Sequence, residues 1–144
     1  MGKYDKLIDM CKKGVVLTQD NVGDDIIFVD RGSFHLIIPK EGNTDEHGDF
    51  FINSIKGHYC YSYSDVSIHT YHVLDGNGVF IIGDERKTVK KGDTIIIEPK
   101  TVYTYIGNML LIEEMKPNFK EEYEHEVGLV DYSQIDAKIE GTSK

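Results

Sequence analysis

The sequence predicts an all-β protein of antiparallel strands, folded as a sandwich or barrel, with one short helix at its N-terminus. Three observations carry this reading. Ten short runs rich in Val, Ile, Tyr and Phe follow one another between residues 26 and 115. Clusters of Gly, Asp and Asn separate them at close, regular spacing. No helical period lies between consecutive runs, which argues against crossover units with parallel strands.

In chain order, Leu7, Ile8, Met10 and Cys11 recur at helical spacing between about Tyr4 and Lys13. Lysines gather in the last turn and Gly14 is a natural C-cap, so residues 1–14 are read as the N-terminal helix. The strand-like runs are 26–29, 34–38, 50–55, 58–63, 66–74, 78–82, 86–89, 94–98, 102–106 and 109–115. Their turns are Asp30-Arg31-Gly32, Glu41-Gly42-Asn43, Asp75-Gly76-Asn77-Gly78 and Gly83-Asp84-Glu85, and Asn77-Gly78 reads as part of a hairpin connection. In "VKKGDTIIIEPKTVYTY", Val89 to Tyr105, Gly92-Asp93 opens a strand and Pro99-Lys100 turns the chain. Tyr103 and Tyr105 then alternate with smaller residues, which puts both rings on one face. Together these elements define a β-barrel over residues 15–118. From 119 to 144 there are seven acidic residues against three lysines, read as an acidic extension with a short helix at its start. Leu129, Val130, Tyr132 and Ile135 are its apolar anchors, and its end is expected to be disordered.

Bulk chemistry narrows the function classes. At 144 residues the chain is most simply one domain, long enough to bury roughly 68–70% of its unfolded surface. Twenty-five acidic residues against 16 basic ones give a net charge of −9, which argues against nucleic acid or anionic lipid as partners. No run has the length or apolarity to span a bilayer, and the N-terminus carries no apolar signal segment, so a cytoplasmic location is expected. Cys11 and Cys60 show no metal-type spacing and are read as reduced thiols. The apolar runs "IIFV" (26–29) and "FHLII" (34–38) are greasy for exposed edges, and a second copy is expected to cover them.

The 47 residues from His69 to Met115 resemble the heart of an RmlC-like cupin. The family's "YVLEGxG" hairpin corresponds to His72-Val73-Leu74-Asp75-Gly76-Asn77-Gly78. Its "PGDxxxIPPxxxH" turn corresponds to Lys91-Gly92-Asp93 through Glu98-Pro99 to Tyr103. The resemblance implies a cupin-type double-sheet jelly roll that commonly dimerises. Metal-binding cupins place a His-x-His pair and a Glu before the hairpin and a further His after the Pro turn. Here the Glu position falls on His69, the His-x-His positions fall in "YSYSD" (Tyr61 to Asp65), and the last His is Tyr103. Only His69 stands where the resemblance implies a ligand, so no metal or other cofactor is expected.

If the family registers hold, the barrel interior is a cup walled by Tyr71, Tyr103 and Tyr105 with the His69 imidazole among them. Tyr61 and Tyr63 are expected to add two phenols. Such rings stack on sugars or planar bases, and their hydroxyls orient polar groups. A strand tyrosine pair is nonetheless more often packing than ligand contact, and a lone strand histidine is as often satisfied structure as chemistry. Three functions follow. The first is a metal-independent binder of a sugar or nucleotide-sugar-like ligand. The second is a metal-free isomerase or epimerase with His69 as base and Tyr103 as acid, for which Asp65 is the nearest carboxylate in sequence to orient the imidazole. The third is a metal enzyme with ligands rearranged among His58, His69, Glu98 and Tyr103.

Overall fold

The computed structural model describes residues 3–130. Tyr132, Ile135 and the end of the acidic extension lie outside the described residues. Helix α1 spans Asp5–Lys12 and ends at Gly14, whose φ of 79° is the left-handed conformation a C-capping glycine supplies. A second helix, α2 (Gln19–Val22), was not anticipated. Its signal is a capping box: the Thr18 hydroxyl accepts from the Asn21 backbone N–H while the Asn21 side chain accepts from the Thr18 N–H. Among the described residues, no helix is long and apolar enough to cross a membrane.

Among the described residues nine antiparallel strands follow: β1 (Ile26–Asp30), β2 (Phe34–Pro39), β3 (Gly48–Ser54), β4 (Cys60–Ser64), β5 (Ile68–Ile82), β6 (Glu85–Lys90), β7 (Thr94–Ile97), β8 (Tyr103–Lys116) and β9 (Glu124–Leu129). The Asp75-Gly76-Asn77-Gly78 cluster, expected as a hairpin turn, lies inside β5. Two pairs of short runs merge into the 15-residue β5 and the 14-residue β8, which pair along almost their whole length. Glycine here serves close approach rather than turning. A Cβ on Gly78 would lie 2.3 Å from the Ile106 carbonyl oxygen, and one on Gly107 would lie 2.7 Å from the Gly78 Cα. A bulge between Val73 and Asp75 adds a bend at the same place.

Because they bend, β5 and β8 serve both halves of the curled sheet. The first half runs β1-β2-β3, the later part of β8, the early part of β5, then β7. The second half runs β9-β4, the early part of β8, the later part of β5, then β6. Strand β9 comes from the acidic stretch read as a helical start; only a 3-10 turn at Glu121–Tyr123 precedes it.

Between the halves, Val73, Phe80, Val89, Ile95, Ile97, Met109 and Leu111 pack an apolar core continuous with Tyr71, Tyr103 and Tyr105. A second cluster lies under the N-terminal helices, where Tyr4, Leu7 and Leu17 cover Ile37, Phe51 and Leu110. The β1 edge is capped from within the chain. The Gln19 side chain accepts from the Phe28 N–H at 3.0 Å and donates to the Ile26 carbonyl at 2.8 Å, as a neighbouring strand would.

Candidate functional site

The open end of the barrel holds a cavity of about 880 Å³. Its chemical groups come from the two long strands. On β5, His69 and Tyr71 alternate inward. On β8, Tyr103, Tyr105 and Glu113 are all odd-numbered and share the inner face. Pairing of Tyr71 with Glu113 and of His69 with Met115 brings the two sets together.

Glu113, only 8% exposed, is the hub. Its Oε2 accepts from His69 Nδ1–H at 2.7 Å and from the Tyr71 hydroxyl at 2.9 Å. The Tyr103 hydroxyl contacts both the Tyr71 hydroxyl and His69 Nδ1, the latter at 3.2 Å. Each group has one proton to give. With those of Tyr71 and His69 committed to the carboxylate, Tyr103 donates to Tyr71. Nδ1 thus carries the hydrogen, and Nε2, buried in a residue 2% exposed, finds no protein partner.

Electrostatics sharpen these roles. Burial is the largest influence on His69 and pulls its pKa down, but the Glu113 hydrogen bond and charge, with Glu124 behind them, leave it raised. Burial, followed by the charge of Glu113, holds the Tyr71 and Tyr103 phenols well above their ordinary value, so both are neutral donors. Glu124, half-buried on the same wall, is raised by burial and by Glu113, against the pull of His69. His58 stacks on Phe34 and Tyr59, donates Nδ1–H to the Cys60 carbonyl at 2.7 Å, and is lowered chiefly by burial.

The expected residues divide. His69, Tyr71, Tyr103 and Tyr105 all line the cavity. Tyr61 and Tyr63 do not, and this corrects the alternation assumed for β4. Cys60, Ser62 and Ser64 are the buried positions, and Tyr63 stacks outside on His125 with ring centroids 4.9 Å apart. Asp65 is no partner of His69, because it accepts from His125 Nε2 at 2.8 Å. Of the rearranged ligand set, His58, His69 and Tyr103 line the cavity, whereas Glu98 is exposed and off its wall. Glu113 was missed altogether. Its signal was parity: ten residues separate it from Tyr103, an even step along a continuous strand.

A second cavity, about 510 Å³, lies between the helices and the β1–β2 ends, lined by Tyr4, Leu7, Met10 and Val22 among others. It gathers no imidazole and no thiol.

Two bent strands shared by both halves of the sheet, with an imidazole, a carboxylate and phenols facing inward, define a jelly-roll barrel of the cupin type. The chain has the RmlC-like cupin fold, and its residues 57–109 match the family model described as "Cupin domain". Among solved structures it is similar to Pac13, described as "a unique nucleoside dehydratase", at 23% identity and a TM-score of 0.72 over 76% of this chain and 91% of that one. Variants of Streptomyces PAC13 with one tyrosine or histidine replaced, each with uridine, superpose equally well. An RmlC-like cupin from Shewanella frigidimarina gives a TM-score of 0.59 at 18% identity, over 69% of this chain and 90% of that one. In sequence, MJ1618 of Methanocaldococcus jannaschii is 46% identical over 43 residues, 28% of this chain and 34% of that protein. The matched stretch therefore spans about a third of that relative.

The residues present do not fit the metal centre found in metal-binding cupins. The ligand positions hold one imidazole and a neutral phenol, and the nearby carboxylate oxygen already accepts two hydrogen bonds. Among the described residues, no three His, Cys, Asp or Glu side chains converge as a metal site.

Proposed function

We propose that the cavity binds a sugar-like or nucleoside-like ligand and moves a proton at a carbon next to its carbonyl group, using protein acid–base groups. The observation that carries this reading is the His69–Glu113 pair: a buried imidazole whose Nδ1–H is held by a carboxylate, leaving Nε2 to take a proton. Glu113 supplies the orienting partner that Asp65 does not, which moves the balance from simple binding toward catalysis. Tyr103, which gives its hydrogen to Tyr71, can turn that donor to the ligand's carbonyl oxygen as negative charge develops there. Reprotonation at the same carbon or its neighbour gives an epimerase or isomerase. Loss of a hydroxyl from the adjacent carbon, the C–O bond breaking as the proton held on Nε2 passes to the departing oxygen to form water, gives a dehydratase, the activity named for Pac13. All three begin with the same proton abstraction.

The test is solvent exchange. Carbonyl-bearing sugars and nucleosides that raise the melting temperature are incubated with the protein in D₂O and followed by NMR. The parent protein is expected to exchange the hydrogen next to the carbonyl. His69→Gln should slow this by roughly a hundredfold or more while retaining the thermal shift. A ligand that stabilises the parent but never exchanges would reduce the site to a binding cup.

A further inference from the structure

The acidic terminal segment bears on which ligands enter, an inference that rests on the cavity being the ligand site proposed above. Glu121, Glu124 and Glu126, from the 3-10 turn and β9, all line the cavity, and Glu113 stands deeper in it. Arg31 is the one Lys or Arg on the wall among the described residues. Glu126 accepts from the Tyr59 hydroxyl at 3.0 Å, and Glu124 Oε2 is buried without a hydrogen-bond partner. Behind them waits the buried, unpartnered Nε2 of His69.

We propose that this site accepts unphosphorylated ligands, a nucleoside or a free sugar, and rejects their phosphate esters, with Glu121, Glu124 and Glu126 as the charge filter. This narrows the expected ligand class and sets nucleotide sugars aside. Ionised carboxylates can only accept, so they match the hydroxyl hydrogens of a ribose or hexose. A phosphate offers no hydrogens to them and brings like charge into a partly enclosed space, where the repulsion is poorly screened. A single arginine against four carboxylates does not reverse the sign of the wall.

The experiment titrates the full chain calorimetrically with matched pairs: uridine and its 5′-monophosphate, and free sugars and their phosphates. At low salt the phosphate member should bind roughly tenfold or more weakly than its partner. The gap should narrow in about 0.5 M salt, where the screening length falls to a few ångströms. It should narrow also in the double variant Glu121→Gln, Glu126→Gln, whose amides keep an acceptor for Tyr59 and whose exposed positions spare the fold. Equal or tighter binding of the phosphate, lost in Arg31→Ala, would overturn the filter while leaving the ligand site standing. A gap that neither salt nor the double variant moves would mean exclusion by size, and would overturn it too. Should no member of any pair bind, the proposed ligand site itself fails.

Discussion

At His69 the chemistry depends on a protonation balance that can be read by titration. Its folded pKa lies above the ordinary 6.5, because Glu113 outweighs the cost of burial. A raised histidine stabilises the fold fully below about pH 6.5, and that contribution is lost as pH rises through the folded pKa. The same titration frees Nε2 to act as a base, so turnover should rise with pH over the window in which this stability is lost. Glu113→Gln removes the charge but leaves an amide oxygen to accept from Nδ1. The expected outcome is a turnover lower by roughly tenfold or more, with the acid limb of its pH–rate profile moved to lower pH. A fall in rate with an unmoved profile would show that Glu113 only packs the site. The unfolding free energy of this variant should also lose the parent's gain below pH 6.5, as chemical denaturation at several pH values will report.

Strands β5 and β8 are where sequence and structure part company, and glycine is the reason. Gly76 and Gly78 sit among turn-forming neighbours and from sequence alone read as a chain reversal, and the apolar run also breaks at Gly107, so each long strand is split in two. In the fold they let two backbones touch where the sheet bends. The prediction at this scale is that Gly107→Ala costs about 3 kcal/mol or more, measured by denaturant unfolding. Its Cβ would lie 2.6 Å from the Asn77 carbonyl oxygen, at a φ of 136°. A neutral substitution would show that the bend is loosely packed. Misreading the glycines also hid the site's key carboxylate. The facing of Tyr103 with Tyr105, and of His69 with Tyr71, was legible from local alternation. The reach from Tyr103 to Glu113 needed an unbroken strand. Strand β4 failed differently: "YSYSD" has tyrosines at one parity and serines at the other, and ring size gives no sign of which faces a polar cavity. What did survive locally were Gly14, Asp30-Arg31-Gly32, Gly83-Asp84 and Gly92-Asp93, where a short-range turn or cap is all the residues specify.

Taken whole, the molecule spends its N-terminus on covering what the barrel leaves open. The apolar β1 and β2 runs, which gave reason to expect a second copy, meet α1 and α2 on their faces, and Gln19 occupies two backbone groups of the β1 edge. Self-association through that edge is a proposal that needs Gln19 displaced. Gln19→Ala is therefore expected to increase association in light scattering at micromolar concentration, and unchanged mass would place any dimer contact elsewhere. The C-terminal side has a different consequence. The proton-handling groups lie on β5 and β8, inside the barrel, whereas the acidic wall enters with the last described strand, fastened mainly along β4. The part proposed to decide what is admitted thus sits on a different strand from the groups proposed to react, with Glu124 as the electrostatic link between them. Exchanging Glu121 and Glu126 for basic residues, with Glu124 kept because its charge acts on His69, is a route to a protein with new ligand preferences and its interior acid–base pair intact, a division of labour convenient to evolution and to engineering alike.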